Sequence, residues 1–162
     1  MRELSGMVAT LAIAATLALA DAGRPVLADD MGAQAAYRDI EQTLGSVPGF
    51  FKLFPEVGIA GAWAEFKAIQ LNPNTKLSGK TKELIGLAVA AQIPCHYCVY
   101  FHTAAAQLNG ATDEEIREAV AMAAVSRHWS AVLNGMQADF DAFRRETDAV
   151  VTLAAAKAAK SQ

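Results

Sequence analysis

Neither sign of charge is in large excess: 14 Lys plus Arg stand against 17 Asp plus Glu in 162 residues, a net charge of -3. A chain so balanced offers no basic footprint for nucleic acid. Cysteine is scarce, and two residues cannot staple a fold of this size, so stability must come from a buried core, which a chain of this length can supply. The two thiols are therefore free for chemistry. A hydrophobic share of 53% excludes a disordered chain. Sustained two-residue alternation is absent, which argues against half-buried strands.

A long apolar run is also missing. The uncharged stretch 7–20 has 14 residues, short of the roughly 20 that a spanning helix needs. It has the length of a signal h-region. Arg2 precedes it, and small-residue cleavage patterns follow at Ala20-Asp21-Ala22 and Val26-Leu27-Ala28. Residues 1–28 are therefore read as an export signal with cleavage after Ala28. A cytosolic amino-terminal helix is the alternative, because Glu3 offsets Arg2. Export implies a periplasmic or secreted protein, in a compartment where thiols are bridged or served by a dedicated reductant.

Residues 29–162 read as one all-α domain. Apolar residues recur at helical spacing, and the punctuation is helical. Helices are expected over 33–44, stopped by Gly45, and over 57–71, closed by Asn72-Pro73-Asn74. Residues 48–54 form a short aromatic turn or helix between them. Ser78 is a candidate N-cap for a helix to about residue 91. A further helix is expected over 94–109, with Pro94 in its first turn and Asn109-Gly110 as its stop. Thr112 and Glu115 have capping-box spacing and start a helix to about residue 128. A last helix is expected over 136–160.

The most informative absence is internal. Residues 84–112 contain no Asp, Glu, Lys or Arg. Gln92, Pro94, His96 and His102 interrupt the stretch, so it reads as two core helices and not as a membrane span. Glu83 then stands at the edge of a dry region. Within this stretch lies Cys95-His96-Tyr97-Cys98-Val99-Tyr100-Phe101-His102. Offsets of three and seven residues place Cys95, Cys98 and His102 on one helical face, and a first-turn position at Cys95 favours a thiolate.

Four chemistries compete for that cluster. A structural disulfide closing four residues would constrain the unfolded chain by only about 2 kcal/mol, against about 3 for a fifteen-residue loop. A zinc site would use Cys95, Cys98 and His102, with Glu83 or His128 as a fourth ligand, although structural zinc ligands usually come as two separated pairs. Covalent haem needs His directly after the second cysteine, where this chain has Val99. A redox-active dithiol fits best, because it needs low-pKa thiols, an adjacent base and a short resolving distance. No cofactor is called for.

Other residues carry two readings each. His96 either stabilises a neighbouring thiolate or is solvated. Phe50, Phe51, Phe54 and Trp63 belong to a core more readily than to a hydrophobic ligand pocket. Arg127-His128-Trp129 marks a pocket wall, a subunit contact or a plain helix end. Tyr100 and Phe101 are expected to pack.

The spacing Glu83, eleven residues, Cys95, two residues, Cys98, three residues, His102 resembles the signature of the alkylhydroperoxidase AhpD family, within the carboxymuconolactone decarboxylase-like superfamily. The likeness covers residues 80–123, including Asn109-Gly110-Ala111-Thr112 and Asp113-Glu114-Glu115-Ile116. It implies an all-helical AhpD-like fold assembled as a homotrimer or homohexamer. It also implies a hydroperoxide substrate and a thiol reductant protein as electron donor. In the implied chemistry Cys98 attacks the peroxide and Cys95 resolves the sulfenic acid, with Glu83 and His102 as proton relay. Tyr97 stands where peroxidases of the family often carry His. True decarboxylases of the superfamily lack the paired cysteines, so the resemblance points away from decarboxylation. A thiol-disulfide oxidoreductase without peroxidase activity, or an oligomeric binding module with a metal-loaded or oxidised C-x-x-C, are the rival functions.

Overall fold

The computed structural model describes residues 25–160, with side chains from residue 32. The apolar stretch 7–20, on which the export signal rests, lies outside the described residues. Six α-helices follow in order: α1 Pro25–Leu44, α2 Glu56–Phe66, α3 Gly79–Gln92, α4 His96–Leu108, α5 Asp113–Gly135 and α6 Phe140–Lys160. A 3-10 turn, Gly49–Leu53, precedes α2, and a π-helical turn, Lys67–Leu71, succeeds it. No strand occurs among the described residues, so the fold is all-α as the periodicity predicts.

The chain divides into two compact units, one up to Ala64 and the other from Glu65. In the first, Ala33, Ala36 and Ile40 of α1 are buried at spacings of three and four residues, as are Ile59 and Trp63 of α2. Trp63 donates its indole N–H to Asp39 Oδ2 at 2.6 Å and receives the edge of Phe51 at 5.5 Å. Trp63 is thus a core residue of its unit with Phe51 half-buried against it, whereas Phe50 and Phe54 remain exposed.

In the second unit α3 packs against both α4 and α5, and α4 touches α5. Ser78 caps α3 by accepting the Thr81 N–H at 3.1 Å. The stop after α4 is also local chemistry. Gly110 takes φ of 81°, a conformation that costs glycine little, and the Gly110 and Ala111 N–H groups return to the carbonyls of Gln107 and Ala106 at 2.9 Å. Thr112 and Glu115 form a complete capping box at the head of α5. Lys80 reaches across from α3 to Glu115 at 2.9 Å, and Gln92 donates to the Ala123 carbonyl of α5.

Several boundaries differ from the sequence reading, beginning with α1, which starts at Pro25 and not at residue 33. The helix expected over 57–71 changes to π geometry at Lys67. α5 runs on to Gly135, because Arg127-His128-Trp129 contains no breaker and the first glycine after Gly110 is Gly135. α6 starts at Phe140, not residue 136, since Gln137 has φ of 52° and Asp139 accepts the Ala142 N–H at 2.6 Å as a fresh cap.

Candidate redox site

Cys95 is not inside the helix. It has extended backbone angles, φ -96° and ψ 96°, and acts as the N-cap of α4, whose first helical residue is His96. The expected helical stretch 94–109 therefore begins two residues late, and the first-turn cysteine is Cys98 at N3. The Cys95 N–H closes back on the Ala90 carbonyl at 3.1 Å, which turns the chain from α3 into α4. The Cys95 sulfur accepts the Cys98 N–H at 3.2 Å. A sulfur thus fills the role usually played by Ser or Asp, at the positive end of the helix dipole.

Cys95 and Cys98 are joined by a disulfide with a Cα–Cα separation of 5.3 Å. Both residues are half-buried. The pair is present in its oxidised form, and the same first-turn N–H groups would face the sulfur anions after reduction.

One turn beyond Cys98, His102 donates or accepts through Nδ1 to Glu83 Oε2 at 2.8 Å. Glu83 is only 3% exposed, the one buried charged residue among those described. The imidazole keeps 19% side-chain exposure, enough to exchange protons with solvent or substrate. The four residues singled out from the sequence therefore fall into two bonded pairs on adjacent elements, Cys95 with Cys98 and Glu83 with His102. A carboxylate that holds one ring nitrogen leaves the other, Nε2, available as a base.

Two residues complete this arrangement that the sequence reading did not find. Gln70, on the π-helical turn, places its amide Nε2 3.1 Å from Glu83 Oε1 and 3.2 Å from Oε2. Gly86, one turn after Glu83 on α3, lies directly beneath the imidazole. A Cβ there would stand 2.5 Å from Nδ1 and 2.7 Å from Nε2 of His102. A helical glycine in an otherwise apolar stretch was the available signal for the second. Nothing local marks the first, because Gln70 meets Glu83 only through tertiary structure.

The flanks of the site are open. Tyr97 and Tyr100 are 77% and 80% exposed, so the expectation that Tyr100 packs is not met within the chain. Phe101 contacts Phe66 at 6.2 Å between ring centres, and His96 is exposed beside Tyr97. A shallow groove along α4 is lined by His96, Val99, Tyr100, Thr103, Ala104 and Gln107. Among the described residues no three His, Cys, Asp or Glu side chains gather as a metal site requires, and no helix is long and apolar enough to cross a membrane.

Comparison with known proteins agrees with this geometry. The family model described as the carboxymuconolactone decarboxylase family matches residues 58–140. The chain is similar to the crystal structure of the alkylhydroperoxidase AhpD core from Rhodospirillum rubrum, with a TM-score of 0.61 and 27% identity, covering 73% of this chain and 90% of that one. It is also 39% identical over 62 residues to uncharacterized protein 4 in the cox locus of Paracoccus denitrificans, covering 38% of this chain. The matched region spans 56% of the length of that curated relative.

Proposed function

The chain belongs to the carboxymuconolactone decarboxylase family, with an AhpD-like fold, and on that premise we propose that it is a thiol-dependent alkyl hydroperoxide reductase. The carrying observation is the Cys95–Cys98 disulfide at the head of α4, with the bonded Glu83–His102 pair one turn away. Each half of that arrangement has a task in peroxide reduction.

A reduced thiol protein donates two electrons and two protons to the disulfide and leaves as its own disulfide. His102 Nε2 takes the proton of Cys98, whose thiolate attacks one oxygen of the hydroperoxide. The O–O bond breaks, Cys98 becomes a sulfenic acid, and the alkoxide leaves as an alcohol with the proton returned by His102. The Cys95 sulfur then attacks the Cys98 sulfur, water is released, and the disulfide re-forms. Sulfur at the helix N-cap and N3 is stabilised as an anion, which suits both attack and resolution.

The deciding experiment mixes the reduced protein rapidly with one equivalent of an organic hydroperoxide and follows free thiols and intact mass. Loss of two thiols on a catalytic timescale, with a mass lower by two hydrogens, is the expected result. Thiols that survive the pulse would move the assignment to thiol-disulfide exchange, a reading favoured by the exposed tyrosines beside the disulfide, which leave room for a protein partner. Residues 7–20 support export to the periplasm or beyond, and fractionation of the untagged protein tests it. An unprocessed cytoplasmic product would overturn that part.

A further inference from the structure

We infer that Gln70 is a positioning residue that fixes the tautomer of His102 through Glu83, and that the π-helical turn Lys67–Leu71 exists to present it. This rests on the dithiol reading above, in which His102 Nε2 serves Cys98.

The Gln70 amide nitrogen lies between both oxygens of Glu83, at 3.1 and 3.2 Å. A carboxylate offers acceptors only, so the amide must be oriented with its N–H groups toward Glu83. One N–H is shared between the two oxygens, which holds the ionised carboxylate with a lone pair of Oε2 toward His102. Glu83 therefore faces His102 as an acceptor, and at 2.8 Å the imidazole Nδ1 must be the donor. Neutral His102 then carries its hydrogen on Nδ1 and presents a bare Nε2 to its surroundings. Without the amide, Glu83 is free to rotate, and the histidine loses the constraint that selects one tautomer.

The backbone is shaped for this contact. A π turn inserts one residue into the helical repeat and rotates everything after it by roughly 100° about the axis. α2 changes to that geometry at Lys67, three residues before Gln70. The far end of the turn is fastened to the same helix that carries Glu83, because Lys82 Nζ donates to the Asn72 carbonyl at 2.8 Å. Neighbouring residues of α3 thus hold the turn, one by its charge and one by its carboxylate. Gln70 itself is half-buried, which leaves its amide to serve Glu83 and not bulk water.

The test uses the full chain, reduced and labelled with nitrogen-15 in its histidines, with the His102 signals assigned by their loss in His102→Asn. In the wild type the neutral ring should show a protonated Nδ1 and an unprotonated Nε2. Gln70→Met, which keeps volume and removes the donors, should shift His102 toward a mixture of tautomers. It should also slow hydroperoxide-driven thiol loss on the order of ten-fold, the usual effect of removing an outer hydrogen-bond partner. Gln70→Asn, which keeps the amide on a stem too short to reach, should behave like Gln70→Met, and provides the readout if the methionine variant fails to fold. A His102 ring that stays Nδ1-protonated in either folded variant would overturn the inference. The tautomer measurement needs no hydroperoxide. A wild type inert to peroxide, with tautomer loss in the variants, would therefore defeat the peroxidase reading while leaving the role of Gln70 standing.

Discussion

Cys98, Cys95 and Gly86 each yield an outcome that a single substitution can read. Cys98→Ser should abolish hydroperoxide consumption, whereas Cys95→Ser should let a sulfenic acid accumulate at Cys98, detectable by trapping and mass. If Cys95→Ser were the variant unable to form sulfenate while Cys98→Ser still did, the two roles would be exchanged. Gly86 separates activity from stability. Alanine is a better helix former than glycine by up to about 1 kcal/mol, a gain that offsets part of the cost of moving the His102 ring, so Gly86→Ala should still melt cooperatively. Its methyl group would displace the His102 ring from Glu83, since a Cβ stands 2.5 Å from Nδ1, and activity should fall. A variant of full activity would show that the Glu83 contact is dispensable.

At the scale of the element, the head of α5 is the part whose energetics are most legible. Thr112 accepts the Glu115 N–H at 3.2 Å, and Glu115 Oε2 accepts the Thr112 N–H at 2.8 Å. Removing the cap in Thr112→Ala should cost about 1 kcal/mol, visible as a shifted urea midpoint. Lys80 and the Thr112 backbone hold the Glu115 carboxyl below its ordinary range. Glu115 therefore contributes stability that is fully present above the ordinary carboxylate range and is lost as pH falls through its lowered value. Melting curves taken on the acid side should fall more steeply for the wild type than for Glu115→Gln; parallel curves would mean that the exposed bridge contributes nothing measurable.

At the scale of the whole molecule, much apolar surface remains in water. Ile85 and Val89 of α3 and Met122, Val125 and Trp129 of α5 are each about half exposed or more, and α6 buries no residue. The all-round apolar character of α3 was evident in its sequence, yet one chain covers only the face with Leu87 and Ala90. Apolar surface of this extent is what the homotrimer or homohexamer implied by the family resemblance would cover. Sedimentation of the purified protein should give a discrete assembly, and Trp129→Asp should shift it toward smaller species. A stable monomer at micromolar concentration would remove the oligomer from the proposal.

Local chemistry accounts for what could be read from the sequence by itself. The helical class, the caps at Ser78 and Thr112, the stop at Gly110 and the grouping of Cys95, Cys98 and His102 all depend on residues within about two turns of one another, where spacing alone dictates geometry. Glu83 was recognised by its distance from the cysteines, but spacing says nothing of its partners. Tertiary structure decided that Glu83 bonds His102, that Gln70 bonds Glu83, and that Gly86 makes room for the ring. It also moved Cys95 from the helix to its cap, because its N–H bonds the Ala90 carbonyl in the turn from α3. These contacts join different elements across turns and helix faces, and such pairings form only when the apolar faces of α3, α4 and α5 pack. The dithiol was thus written in one short motif, while the Glu83–His102–Gln70 chain beside it was assembled by packing.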